Sequence, residues 1–488
     1  MKIFNLPSPT EIYFEVISPP LIAGSDLSPE QKNFSLSAGQ IGIWFAQQLD
    51  PKNPAFLLGE QIDIYGEINP GLFSKSLKSV IQECESLFLT FFDSPEGPKQ
   101  YVQNSVCYTL DYYDLSNSEQ PLDISKFIID SALSEPIDIS HEPPFKFKLL
   151  KFNSSHYRWT GIFHHIAIDG YSLALFSNRL GDIYSSLSNN SEHLIESNGS
   201  LSKIFNATNE YNLSNDYNKD KIFWDEFLEQ GIPPTFLNNK SDRLPKGSLG
   251  KRLRKSILLS PSSCKKLLEL SNKCNSPLSN VLITLLTAFI HRLSGFQDGL
   301  FSLPISARTD ANRRTPFMLS NIVPFELKIY PNDCFIDLIL ATSRIIKNFY
   351  PHRFYRWEEM NRHQSQIGKS NTFFGPVINV LSNHNKLLFN NFTATRTNLS
   401  LGPVDDVSLT AYTDKDATFI SIDIDLNSLL HTEEYQDTLT VALEDFLESA
   451  VANPDQSISK LSILSPDERH TILQKWNDTE QLLAPKTL

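Results

Sequence analysis

The chain has 488 residues, of which 40% are hydrophobic and 20% charged, a balance typical of a folded globular protein with two to four domain-sized units. Its net charge of -13 argues against nucleic acid or an anionic membrane surface as a partner, and no run of 18 apolar residues predicts a transmembrane helix. The N-terminus lacks the basic and apolar regions of a signal peptide, and the five scattered cysteines form no disulfide framework or metal pattern. We therefore expect a cytoplasmic protein.

The first half of the chain alternates predicted helices and strands. Segment 1–30 is proline-rich and predicts an irregular lead-in, after which Ser37 is a plausible helix N-cap. The elements predicted next are helix 40–49, strand 61–65, helix 70–84, strand 87–92, helix 125–133, strands 145–152 and 157–163, and helix 171–187. The short polar segment between the last two strands predicts a hairpin.

The second half repeats this mixed pattern after a polar segment with Pro245, Gly247 and Gly250, which predicts a junction between two lobes within 225–252. The elements predicted there are strand 255–259, helices 261–271 and 279–293, strand 300–305, helix 335–349, strands 377–381 and 418–424, helix 432–451 and a capped helix from Ser465. Two lobes of similar element order predict an α/β fold of α+β sandwiches, which usually places its functional site between the lobes.

The segment 164–170, His-His-Ile-Ala-Ile-Asp-Gly, lies where a predicted strand turns into a predicted helix. Adjacent histidines on a strand point to opposite faces, so a shared metal is disfavoured, but one ring can face a site while the other packs behind it. A neutral imidazole can accept a proton at pH 7, and a glycine permits close approach at a turn. The same residues could instead be a buried histidine pair and a helix-capping aspartate, and their spacing alone does not choose.

Six further segments accompany this corner in order along the chain. They are 37–44 (SAGQIGIW), 210–224, 304–309 (PISART), 320–324 (SNIVP), 374–380 (FGPVINV) and 464–479, which ends in Trp-Asn-Asp-Thr. Each resembles a motif of the condensation domains of nonribosomal peptide synthetases, whose central motif HHxxxDG matches 164–170. The first resembles the family's SxAQxxxW motif, with Gly39 and Gln40 in register.

Two segments depart from the family pattern. Segment 85–91 resembles the RHExLRTxF motif, but Phe88 stands where an arginine is common, so we expect Arg308 to pair with Asp169. Segment 350–359 resembles the HQDxPFE motif only loosely, because Arg353 and Phe354 follow His352.

The resemblance implies two lobes, each like chloramphenicol acetyltransferase, that form a V with a central tunnel. It gives a lead-in over 1–30, an N-terminal lobe over 31–225, a crossover over 226–251, a C-terminal lobe over 252–465 and a linker toward an adenylation domain over 466–488. Donor and acceptor peptidyl carrier proteins would dock at opposite mouths of the tunnel, each delivering a thioester on a phosphopantetheine arm. The domain itself would bind no cofactor and no metal.

The resemblance also implies a reaction and a role for each site residue. An acceptor amine would attack a donor thioester directly, and His165 would be the catalytic residue that takes the amine's proton or orients the amine. His164, Asp169, Gly170 and Arg308 would support the site. Ser320 and Asn321 could bind substrate from the second lobe.

The sequence is compatible with three other functions. A starter condensation domain would N-acylate the first amino acid with a fatty or aryl group, and an epimerisation domain would invert a Cα centre with the same motif. A catalytically silent module would only dock carriers. The Trp-Asn-Asp-Thr segment favours condensation over epimerisation, and the intact His165, Asp169 and Gly170 argue against a silent module.

Overall fold

The computed structural model describes residues 7–19, 33–191, 200–232, 235, 237, 250–296, 299–366, 375–382 and 387–478. The first half contains β1 Glu11–Ile17, β2 Asn33–Ser35, α1 Ala38–Leu49, β3 Leu57–Tyr65, α2 Pro70–Gln82, β4 Leu89–Phe92, β5 Lys99–Val102, β6 Val106–Asp114, α3 Pro121–Ser134, β7 Phe145–Asn153, β8 His156–His164, α4 Gly170–Ser188, α5 Leu201–Asn212 and α6 Asn215–Glu229.

The second half contains β9 Arg252–Leu258, α7 Pro261–Lys273, α8 Leu278–Ser294, β10 Leu300–Ser306, β11 Ser320–Glu326, α9 Phe335–Phe349, α10 Trp357–Gln366, β12 Val377–Leu381, β13 Leu387–Phe389, β14 Phe392–Leu401, β15 Val407–Thr413, β16 Ile420–Asn427, α11 Glu433–Ala452 and α12 Pro466–His470. Among the described helices, none combines the length and hydropathy needed to cross a membrane.

Two large sheets carry the architecture. The first has the order β1-β6-β7-β8-β3-β14-β13 and the second the order β11-β10-β12-β15-β16-β9, while β2, β5 and β4 form a small third sheet. Apolar side chains of α2 and α4 bury the first sheet, and those of α7, α8, α9 and α11 bury the second. The predicted mixed α/β sandwich fold is confirmed, since each large sheet covers its apolar face with helices.

Two strands from the predicted C-terminal lobe belong to the first sheet. Strands β13 and β14 come from the second half but extend the first sheet, where β14 pairs antiparallel with β3 up to Leu401 opposite Leu58. The register of β14 against β3 shifts between Asn398 and Ser400, and such an irregularity bends the strand. The chain that follows β14 is therefore delivered to the end of β8, where 164–170 begins.

The predicted lobe boundaries stay predictions. Residues 1–6 and 20–30 of the predicted lead-in, 31–32 of the predicted N-terminal lobe, 233–234, 236 and 238–249 of the predicted crossover, and 479–488 of the predicted linker lie outside the described residues. Within the lead-in, β1 pairs with β6 at the edge of the first sheet. That strand was not predicted, because two prolines on either side of it favoured an irregular segment.

Candidate active site

The corner at 164–170 is held by backbone hydrogen bonds that end β8 and start α4. The His165 N–H donates to the Phe56 carbonyl at 2.8 Å, and the Ala167 N–H donates to the His164 carbonyl at 3.0 Å. Gln40 of α1 donates to the Ile166 carbonyl at 3.0 Å. Because no regular strand or helix satisfies these groups, the chain between β8 and α4 is shaped by partners from distant segments.

His164 packs behind the corner, and only 1% of its surface is exposed. Its Nδ1 accepts a hydrogen bond from the Ile166 N–H at 3.2 Å, so we assign the proton to Nε2, which lies 3.2 Å from Gln47 Oε1. The ring also stacks on Phe56. Burial, together with the neighbouring His165, lowers the pKa of His164 to about 3. His164 is therefore a neutral part of the core.

This buried histidine makes stability depend on pH. In the unfolded chain His164 takes up a proton near pH 6.5, whereas the folded chain resists it until about pH 3. We expect the free energy of unfolding to fall, by up to about 1.4 kcal/mol per pH unit from this group, as the pH drops below 6.5. Urea unfolding at pH 6.5, 5.5 and 4.5 measures the slope. A His164→Gln variant with an unchanged slope would contradict the assignment.

His165 points the other way and is half-buried. Burial lowers the pKa of His165, and the positive charge of Arg356 adds to that effect, while nearby backbone carbonyls and Asp169 oppose it. Among the described residues its buried Nδ1 has no hydrogen-bond partner, and the carbonyls of His165 and Ile168 favour the protonated form of the ring as a whole. We assign the one proton of the neutral ring to the buried Nδ1, the tautomer that leaves the Nε2 lone pair free to accept a proton.

Asp169 lies at the centre of a fully buried cluster. Its two oxygens accept hydrogen bonds from Arg308, at 2.7 Å from Nη1 to Oδ2 and 3.0 Å from Nη2 to Oδ1. The Ser172 N–H donates to Oδ1 at 2.9 Å, which makes Asp169 the N-cap of α4, and the N–H groups of Leu319 and Ser320 donate to Oδ2. Burial alone would raise the pKa of Asp169, but Arg308 and these donors hold it at about 2. The carboxylate is thus ionised and has no capacity left for a substrate.

Arg308 joins the two halves of the chain at this point. It follows β10, and its Nη2 also donates to the Phe317 carbonyl at 2.8 Å, while its guanidinium lies over the Tyr171 ring at 4.6 Å. The arginine that the family motif leads one to expect near position 88 is absent, and Phe88 is fully buried in apolar surroundings. The structure brings Arg308 to Asp169, as the sequence reasoning expected.

The two residues assigned to substrate binding occupy different positions. Ser320 is half-buried, and its backbone bridges Asp169 and Arg356, whose Nη1 donates to the Ser320 carbonyl at 2.9 Å. The Asn321 amide donates to the carbonyls of Arg353 and Tyr355 and accepts from two backbone N–H groups. Its amide is therefore saturated, which corrects its expected contact with substrate: Asn321 holds segment 353–357 in place.

Gly170 is the first residue of α4, and the apolar side chains next to it come from the second half of the chain. A Cβ at this position would lie 3.1 Å from Leu401 Cδ2 and 3.8 Å from Leu381 Cδ1. The close approach of β14 therefore explains the glycine, as a side chain here would push that strand away from the corner.

Gly402 is a site residue that the sequence analysis did not find. It follows β14 with φ +107°, and a Cβ there would lie 3.1 Å from His165 Cδ2 and 3.8 Å from Nε2. The carbonyl of Gly402 accepts a hydrogen bond from Arg252 Nη2 at 2.6 Å. The glycine therefore sets the room beside the nitrogen that we expect to accept a proton.

A pair of glycine substitutions separates backbone strain from contact with His165. Gly97→Ala and Gly402→Ala both force alanine into a positive φ, at +105° and +107°, and we expect each to cost on the order of 1–3 kcal/mol of stability. A Cβ at Gly97 meets nothing within 4 Å, so that variant should keep its activity. Gly402→Ala should lose at least about tenfold, because displacing a reacting group by 1 Å can cost up to ~100-fold. Equal activity of the two variants would contradict the role of Gly402.

The site contains no arrangement that points to a bound metal. Among the described residues, no group of three histidine, cysteine or acidic side chains is placed to hold a metal ion. The chemistry available is a neutral imidazole beside a rigid, charge-balanced corner.

Comparison with known proteins places this geometry in a family. The family model described as Condensation domain matches residues 30–473. A dimodular nonribosomal peptide synthase of Bacillus subtilis (strain 168) is 32% identical over 454 residues, which cover 92% of this chain but 19% of that protein. An isonitrile lipopeptide synthase of Streptomyces coeruleorubidus is 28% identical over 87% of this chain and 29% of its own length. The chain therefore spans less than a third of either relative.

Two solved structures are similar over most of the chain. A variant of the starter condensation domain of rhizomide synthetase, in complex with C8-CoA, has a TM-score of 0.82 and 26% identity, covering 89% of this chain and 98% of that one. The first condensation domain of the calcium-dependent antibiotic synthetase, in complex with a substrate analogue, has a TM-score of 0.80 at 23% identity and covers 89% of this chain and 99% of that one. The second likeness shows the fold alone.

Proposed function

Because this chain belongs to the condensation-domain family of nonribosomal peptide synthetases, we propose that it joins a carrier-bound acyl or peptidyl donor to a carrier-bound aminoacyl acceptor. Condensation domains of this family are acyltransferases that form amide bonds. The observation that carries the proposal is the neutral, half-buried His165 imidazole beside the Asp169 carboxylate, whose oxygens are already bonded to Arg308 and to backbone N–H groups.

In the proposed reaction the acceptor amine attacks the carbonyl carbon of the donor thioester. A C–N bond forms, the C–S bond breaks, and the donor arm leaves as a thiol. The amine gives up one proton, which Nε2 of His165 accepts and the departing thiolate finally receives. No acyl-enzyme forms, so no serine or cysteine nucleophile is required.

Positioning contributes as much as basicity in this proposal. An α-amine has a pKa of about 8, so most of it is protonated at pH 7, and a neutral His165 can hold the unprotonated fraction in the attacking orientation. Fixing two tethered groups in attack geometry can remove ~7–11 kcal/mol from the barrier. The corner supports this role, since the His165 N–H is bonded to the Phe56 carbonyl and Asp169 fixes the start of α4 four residues later.

The partners follow from the same proposal. Two peptidyl carrier proteins would deliver the substrates on phosphopantetheine arms through a tunnel between the lobes, and an adenylation domain would be a further partner. The domain would bind no cofactor of its own and would act in the cytoplasm. The Leu401 and Leu381 side chains beside Gly170 suit an uncharged acyl chain.

A starter condensation domain is the second candidate. The similar rhizomide synthetase domain is a starter domain solved with C8-CoA, and it supports a donor that carries a fatty acyl group. The chemistry at His165 would be unchanged, and only the donor would differ.

A two-carrier assay tests both candidates. The purified domain is mixed with an acyl- or aminoacyl-loaded donor carrier and an aminoacyl-loaded acceptor carrier, and mass spectrometry follows the acceptor. We expect the acceptor to gain the donor group and the donor to be released as a free thiol. Exchange of the Cα hydrogen for deuterium on a single loaded carrier would instead indicate an epimerase. Carrier binding without either reaction would indicate a silent docking module.

A further inference from the structure

Two departures from the family motifs meet beside the candidate active site. Gly39 stands where the motif SxAQxxxW has alanine, and Arg356 stands where the motif HQDxPFE has proline. The two positions are 317 residues apart along the chain (356 − 39), yet a Cβ at Gly39 would overlap Nη2 of Arg356. The guanidinium therefore occupies the space that an alanine methyl group would fill.

The position of this guanidinium is set by the active-site corner. Arg356 Nη1 donates to the Ser320 carbonyl at 2.9 Å, and the backbone N–H of Ser320 donates to Asp169. On the other side, Gln40, the neighbour of Gly39, donates to the carbonyl of Ile166, which follows His165. Arg356 thus lies between the start of α1 and the corner that holds His165.

Two of the three Arg356 nitrogens, Nε and Nη2, have no strong hydrogen bond among the described residues. Nε is buried without a hydrogen bond; its ion-pair partner Glu358 lies 3.4 Å away, and that carboxylate oxygen is itself unbonded. Nη2 has only the Met318 sulfur, at 3.9 Å, a weak acceptor. A buried arginine donor without an acceptor is costly, so an oxygen from a bound molecule would complete the site.

We propose that Gly39 and Arg356 form one substrate-binding element, in which the guanidinium donates to a thioester carbonyl oxygen of a carrier-bound substrate. This inference rests on the proposed condensation function. The oxygen is either the donor carbonyl, which gains negative charge when the amine attacks, or the acceptor carbonyl, which lies beside the attacking amine. The planar guanidinium suits both, since it presents several N–H groups in a fixed plane.

The charge of Arg356 supports this placement. It helps to lower the pKa of His165, so it keeps the ring in the neutral form that can accept a proton. The same charge disfavours a protonated amine in its vicinity. A hydrogen bond to the carbonyl and a neutral amine would both favour attack.

A double-mutant cycle in the two-carrier assay tests the element. Arg356→Ala should lower kcat/KM by about 10- to 100-fold, the usual effect of losing a hydrogen bond to a charged group. Gly39→Ala should cost nearly as much in the wild type, because the methyl group displaces the guanidinium, but should cost little further in the Arg356→Ala background, where only the flexible end of Met318 has to move. Glu358→Gln is the matched control: it removes the ion pair, keeps the guanidinium, and should retain activity.

The kinetic parameters then distinguish the two sources of the carbonyl. A lower kcat at unchanged KM indicates the donor carbonyl, and a raised KM for the acceptor carrier indicates the acceptor carbonyl. Arg356→Ala within twofold of wild type, strictly additive effects of the two substitutions, or full recovery of Arg356→Ala at high pH would each overturn the proposal. Thermal unfolding of every variant identifies losses that come from misfolding. A wild-type chain that forms no product would contradict the condensation function itself, whereas an active wild type with an unaffected Arg356→Ala contradicts only this element.

Discussion

Replacing His165 with alanine should slow product formation from two loaded carriers by roughly 10²- to 10⁴-fold, the usual contribution of a general base. The fold should survive, because the described structure gives the side chain no hydrogen bond of regular geometry and the backbone bond to Phe56 remains. The measurement is the single-turnover rate of acyl transfer, compared with thermal unfolding of the same samples. A rate within threefold of wild type would contradict both the base and the orienting role.

His164 provides the matched control for that experiment. His164→Ala removes the same imidazole ring, but at a position where it contacts Gln47 and Phe56 within the core. We expect the main loss there to be in stability, about 2–5 kcal/mol as for other large-to-small core substitutions. The two variants should therefore separate catalysis from folding, although the residues are adjacent in the sequence.

The pH dependence of the rate distinguishes a base from a purely orienting group. The rate should fall in two steps towards acid: the acceptor amine loses its unprotonated form below about pH 8, and, since burial lowers the pKa of His165, a second step from this ring should lie below pH 6.5. His165→Gln can still accept a hydrogen bond from the amine but cannot take its proton at neutral pH. If this variant keeps most of the rate, His165 acts by orientation alone.

The sequence was sufficient to find the corner at 164–170, because its geometry is local. The strand-to-helix turn, the opposite directions of the two histidines and the capping aspartate all follow from short-range geometry. Pairing Asp169 with Arg308 required the family pattern as well, since those residues are 139 positions apart.

The parts that the sequence did not predict depend on contacts between distant segments. Strand β14 alternates threonine with residues such as Arg396 and Asn398, which gives no clear apolar face, so its place in the first sheet was not foreseen. Gly402 follows that strand, and its proximity to His165 arises only because β14 joins the first sheet. Asn321 was assigned to substrate from the resemblance, whereas three of its four partners are backbone groups 32 to 36 residues away.

Breaking the Asp169–Arg308 pair should have the largest effect on stability. Asp169→Asn keeps the N-cap oxygen of α4 but removes the charge, and Arg308→Met keeps the bulk but leaves the carboxylate unpaired. Both side chains are almost inaccessible, at 0% and 4% exposure, so each single variant should lose about 3–5 kcal/mol of unfolding free energy. Urea unfolding at pH 7 measures the loss.

The double variant shows whether the loss of unfolding free energy comes from breaking the ion pair or from changing the volume of the two side chains. Asp169→Asn with Arg308→Met removes both charges, so its loss should be clearly smaller than the sum of the two single losses. The exposed pair Lys126–Asp130 gives the matched comparison, and Lys126→Met should change stability by less than about 1 kcal/mol. Strict additivity at the buried pair would mean that Asp169 and Arg308 act independently. The coupling predicted here instead requires that neither charge can be buried without the other, so the pair ties the start of α4 to the segment after β10 as one unit.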